Sequence, residues 1–215
     1  MSTANIRMIA SALLIYPDEN FPAKREALGE ISKNIGGSAG ESLLKFFNTT
    51  SEMKLEEIQK HYVEIFDMRR RCSLFLTSWT HGDTRNRGMA LLHFKEIYRE
   101  VGVTMTDEEL PDHLAVVLEF AALMDHEEGN LLLGEHRAPI ELIRDALHNA
   151  NSFYAPILDA VVATLPAMTP EIEARARALA LSGPPQEFVG LSGAVSIALE
   201  PFSSNPALVT DGVRA

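Results

Sequence analysis

The sequence predicts an all-α protein, a single-domain helical bundle of about nine helices with an irregular C-terminal tail. Three observations lead there. Apolar residues recur at helical spacing along most of the chain, whereas strand-like alternation is scarce. Prolines just inside these stripes and glycines just past them supply helix start and stop signals. At 215 residues and 46% hydrophobic content, the chain can fill one sizeable core.

The elements follow in order. Ile6, Ile9, Ala10, Leu13 and Leu14 make a first stripe that stops near Pro17. Pro22 opens a second helix carrying Ala27, Leu28, Ile31 and Ile35, closed by Gly36-Gly37. Ser38 and Glu41 have capping-box spacing ahead of Leu43, Leu44, Phe46 and Phe47. Leu55, Ile58, Tyr62, Ile65 and Phe66 mark the next amphipathic helix, and residues 69–79 read as its continuation. His81-Gly82-Asp83 breaks the pattern. Asp83 is placed to cap a helix of Leu91, Phe94, Tyr98 and Val101 that Gly102 ends. Pro111 is expected at the first position of a helix through Leu114, Val117, Leu118, Ala121 and Met124, after a turn at 107–110. The Asp112 carboxylate then falls in the first turn, facing the helix dipole. Residues 131–133 and 140–147 form one helix kinked at Pro139, or two. Phe153, Ile157, Val161 and Leu165 make another stripe, and Thr169-Pro170-Glu171 starts the last helix. From Pro184 onward charge thins and Pro, Gly and Ser rise. Residues 1–182 are therefore read as the helical domain and 183–215 as a tail, partly disordered or loosely docked.

The formal net charge of −11 argues against nucleic acid as a partner. Against that acidic body, Arg69, Arg70, Arg71, Arg85 and Arg87 make the middle of the chain locally basic. The single cysteine, Cys72, excludes an intrachain disulfide and a thiolate metal site built from this chain alone, and reads as a small core residue. No apolar run approaches the roughly 20 residues of a membrane span. Residues 8–16 resemble a signal-peptide core but run into Pro17-Asp18-Glu19-Asn20 without a cleavage pattern. A cytoplasmic protein without stable membrane insertion is expected.

Few groups look reactive. No Gly-rich phosphate loop occurs, and Gly190-Leu191-Ser192-Gly193 has the wrong spacing for a nucleophile elbow. Asp125-His126-Glu127-Glu128 points its side chains in different directions on a helix, so no metal is expected. His81 and Asp83 flank Gly82 in a tight turn, and Asp112-His113 opens a helix. A catalytic dyad there would need a third partner that the sequence does not name. Tyr62, Phe66, Phe75 and Trp79 are core residues by default. Tyr and Trp also anchor interfaces, where a groove between helices accepts an amphipathic partner helix. Five arginines at 69, 70, 71, 85 and 87 cannot share one helical face. Some are solvated or paired with acids, and the rest suit carboxylates, phosphates or carbonyls.

Two runs in combination resemble the NarJ family, the assembly chaperones of respiratory nitrate reductase. The first is Tyr62-Val63-Glu64-Ile65-Phe66-Asp67 with Arg69-Arg70-Arg71-Cys72, then His81-Gly82-Asp83-Thr84-Arg85 and Arg87-Gly88. The second is Glu109-Leu110-Pro111-Asp112-His113-Leu114. The resemblance implies a non-enzymatic chaperone without a cofactor of its own. It would bind the N-terminal segment of the catalytic (alpha) subunit and hold it in the cytoplasm until molybdenum cofactor and an iron–sulfur cluster are inserted. Molybdenum cofactor delivery proteins are secondary candidate partners, and a homodimer is an open alternative. The resemblance carries Tyr62, Ile65, Phe66, Trp79, His81, Asp83, Pro111, Asp112 and His113 as the client-binding face, and the five arginines as a signature without assigned role. Two other readings compete. One is a small hydrolase or nucleotide-binding enzyme using His81, Asp83, Asp112 and His113. The other is a helical scaffold with no part in cofactor loading.

Overall fold

The computed structural model describes residues 3–82, 84–104, 109–123 and 127–183. Among these it holds eleven α-helices, two more than the sequence stripes predict, and a single isolated β-bridge. The helices are α1 (Thr3–Leu14), α2 (Phe21–Ser32), α3 (Gly37–Thr50), α4 (Leu55–Tyr62), α5 (Thr77–Thr80) and α6 (Asn86–Glu100). After them come α7 (Leu114–Leu123), α8 (Glu127–Glu135), α9 (Arg137–Asn149), α10 (Ala155–Val162) and α11 (Pro170–Ser182).

α7 sits at the centre. Leu114, Ala115, Val117, Leu118, Phe120 and Ala121 are all buried, so apolar surface surrounds it rather than forming one stripe. α1 lays Ala10, Leu13 and Leu14 along it, and the Ser11 hydroxyl donates to Ala115 O at 2.8 Å. α8 approaches α7 so closely that a Cβ at Gly129 would lie 2.8 Å from Ala121 Cα. α10 packs on α3 and α9, and α11 on α9. The buried Arg7 of α1 donates to Thr164 O at 3.1 Å, tying α1 to the end of α10. No helix among the described residues is long and apolar enough to cross a membrane.

Local signals account for several boundaries. Thr169 accepts the Ile172 N–H at 3.3 Å with Pro170 at the first position of α11. Gly102 ends α6 at φ 81° and Gly82 turns the chain at φ 58°, both conformations that a side chain resists. Other expectations fail. α2 stops at Ser32, short of Ile35, and α3 begins at Gly37 from an extended Gly36, so Ser38 makes no cap. Of the two alternatives for the segment with Pro139, the structure takes two helices, parted at His136, with Pro139 in the first turn of α9.

The largest departure is at 69–79, which is not a continuous helix. α4 widens into a π-turn over Val63–Asp67, a 3-10 turn follows at Arg70–Cys72, and the chain then passes through an isolated bridge at Phe75 into α5. The cause is distant in sequence. Leu76 N–H donates to Asp112 O at 3.0 Å and Leu114 N–H donates to Leu74 O at 2.8 Å, an antiparallel bridge between Phe75 and His113. The same pairing holds Pro111 and Asp112 out of the helix, so α7 starts at Leu114 and Asp112 lies outside its first turn. Asp83, Asp107, Met124, the 125–126 pair and the expected tail from Pro184 lie outside the described residues.

Candidate functional site

The aromatic segment closes α4 with a wall of rings. In the π-turn Met68 N–H reaches back to Val63 O at 3.0 Å, a geometry that recurs at functional sites. The Phe66 ring centroid lies 4.7 Å from Tyr62 and 4.9 Å from Tyr154. Tyr62 donates its hydroxyl to Leu14 O at 3.0 Å, and the half-exposed Tyr16 meets its ring edge-on at 5.5 Å. Beside them His61 stacks on Phe153 at 4.1 Å and bonds the Ser152 hydroxyl at 2.9 Å. Burial pushes the His61 imidazole below its ordinary value.

The Pro-Asp-His segment is a polar clasp. Asp112 is fully buried. Its Oδ2 accepts the Thr77 N–H at 3.1 Å and the Thr77 hydroxyl at 2.5 Å, and faces the Arg87 guanidinium at 3.9 Å. Arg87 also donates from Nε to Thr77 Oγ1 at 3.1 Å and lies 5.4 Å from the Phe75 ring centroid. His113 accepts the Ala115 N–H on Nδ1 at 3.3 Å, capping α7, and meets Phe75 edge-on at 5.1 Å. The Pro111 carbonyl accepts the Tyr98 hydroxyl at 2.7 Å. Burial holds the His113 imidazole below its usual range against the opposing pull of Glu109 and Asp112. One segment, 111–114, therefore joins α5, α6 and α7.

The two segments are neighbours. Burial raises the Tyr62 phenol far above its usual value, and the carboxylates of Asp67 and of Glu109, just ahead of Pro111, add to that rise. Between wall and clasp lies an open groove of about 430 Å³. Phe66 and Met68 form one bank, Phe75 and Arg87 the other, with Ser78 and Gly82 between. Met68 is 76% exposed, an apolar side chain at the lip.

Of the described residues expected to meet a client, only Phe66 borders this groove, joined by Arg70 and Arg87 of the arginine signature. Tyr62, Ile65, Trp79, Pro111, Asp112 and His113 are buried and hold the banks in place. His81 is half-buried, with Nδ1 2.8 Å from the Thr80 hydroxyl. Arg69, Arg71 and Arg85 are exposed outside the groove. Sequence reasoning passed over Met68, Ser78 and the clasp member Thr77. An exposed methionine directly after an aromatic motif was the one usable signal. No cluster of three metal-ligating side chains occurs among the described residues.

Helices packed around a central helix, with a lateral groove at one side, make up a fold known from a solved structure. The crystal structure of an Archaeoglobus fulgidus protein assigned to redox-enzyme maturation has this fold, with a TM-score of 0.56 at 20% identity over 76% of this chain and 93% of that one. The chain belongs to the nitrate reductase delta subunit family, whose model matches residues 25–159. It is 33% identical to the Bacillus subtilis nitrate reductase molybdenum cofactor assembly chaperone NarJ, over 72% of this chain and 85% of NarJ. The Escherichia coli NarJ is 31% identical over 71% of this chain and 66% of its own length. The nitrate reductase-like protein NarX of Mycobacterium tuberculosis is 41% identical over 72% of this chain, which spans only 23% of NarX.

Proposed function

We propose that this protein is a cytoplasmic, system-specific chaperone of nitrate reductase. It binds the N-terminal segment of the catalytic subunit and holds it until molybdenum cofactor and iron–sulfur cluster are in place. Membership in the delta subunit family carries the reading. The groove between Phe66 and Phe75 supplies a physical means. An amphipathic helical segment lays its apolar side against Phe66, Met68 and Phe75, while Arg70, Arg87 and Asp67 at the banks set its orientation. Asp112 and His113 act at one remove, by fixing Phe75 and Arg87. Nothing covalent is required of the chaperone. Release follows when the client folds around its cofactors and withdraws the segment.

Calorimetry of the full chain with a peptide copying the first residues of the catalytic subunit tests this. Micromolar or tighter binding, absent for a scrambled peptide, is expected. Equal binding of both peptides, or of neither, would overturn the reading.

A further inference from the structure

We infer that a second pocket, formed where Arg69, Arg70 and Arg71 meet Trp79, binds a phosphate-bearing small ligand. Three consecutive residues of a regular helix point in three directions. Here the helix is broken. The 3-10 turn at Arg70–Cys72 follows an extended Arg69, and all three arginines border one concavity of about 550 Å³. That size suits a small molecule.

The lining is rich in donors. Arg69 reaches Glu64 only at 3.8 Å, and Arg71 has no carboxylate partner among the described residues. On a chain of net charge −11, a guanidinium left without an acid is available for an external anion. Trp79, 2% exposed, lines the same pocket, and its indole N–H has no acceptor among the described residues. The lining holds one acidic residue, Asp145, and Arg144 engages it at 3.2 Å. Ala146 of α9, Ala150 just past its end and Ala180 of α11 leave most of the opposite side small and apolar, with Asn149 beside them. Clustered guanidinium donors facing an alanine wall match a phosphate joined to a compact, less polar body. The inference does not depend on the client groove, from which Arg71 and Trp79 are absent.

Trp79 is the only tryptophan of the chain, so its fluorescence reports on this pocket alone. The probe is inorganic pyrophosphate, titrated into the full chain at constant ionic strength with chloride as the control. Calorimetry serves as a second readout, and an octa-glutamate peptide as the rival ligand. Saturable pyrophosphate binding is expected, weakened about ten-fold or more by Arg71→Ala and tightened by Asp145→Asn. Both positions are exposed, and melting curves verify that the variants fold. Absence of saturable binding in both readouts, unchanged affinity in Arg71→Ala, or tighter binding of the glutamate peptide would each overturn the inference. Client-peptide affinity unchanged in Arg71→Ala separates this site from the groove.

Discussion

The two banks of the groove are built by different physics. The Phe66 side is rings on rings, with Tyr62, Phe66 and Tyr154 in mutual contact. The Phe75 side is held from behind by a buried carboxylate, a threonine and an arginine. Apolar packing is non-directional and tolerates a swap of similar volume. A buried polar cluster tolerates almost none, because each lost partner strands another group without water. The groove thus has one forgiving bank and one brittle bank.

The largest effect is expected where ring volume is removed. Phe66→Ala should lower stability by about 3–4 kcal/mol in urea unfolding, and Phe66→Leu should recover most of that. Asp112→Ala should cost about 3 kcal/mol by the same measurement, since it leaves the buried Thr77 N–H and hydroxyl without their carboxylate acceptor. Here the near-isosteric Asp112→Asn should recover little. Recovery matching that of Phe66→Leu would erase the distinction between the banks.

A smaller effect comes from pH. Burial depresses the imidazoles of His61, His113 and His136 below their ordinary 6.5. They stay neutral in the folded chain while the unfolded chain takes up protons. Stability from this source is complete above about pH 6.5 and is lost as pH falls below it. Urea unfolding at pH 7.5 and 5.5 should differ by on the order of 1–2 kcal/mol, and His113→Gln should shrink the difference. The smallest contrast lies within the ring bank. Tyr62→Phe should cost about 1 kcal/mol for its bond to Leu14 O. Tyr154→Phe should be neutral or slightly stabilising, because that buried hydroxyl has no hydrogen-bond partner among the described residues.

The same contrast decides what the sequence could reveal. The ring bank was legible, because Leu55, Ile58, Tyr62, Ile65 and Phe66 share a face at helical spacing. The starts of α2 and α11 were legible from local proline and cap signals. The clasp was not. Asp112 and Thr77 lie 35 positions apart, and no local rule pairs them. Their pairing, with the Phe75–His113 bridge, overrides the stretch at 69–79 that reads as a continuing helix. The motif positions were found, but the structure buries most of them behind the groove that we propose for the client.

The central claim is that the Phe66–Phe75 groove receives the catalytic subunit's N-terminal segment. Amide chemical-shift mapping of the isotope-labelled full chain with that peptide tests it most directly. The largest shifts should fall on Met68, Phe75, Ser78, Gly82 and Arg87. Shifts centred instead on the α2–α3 cleft around Pro22, Gly29 and Phe47 would contradict it.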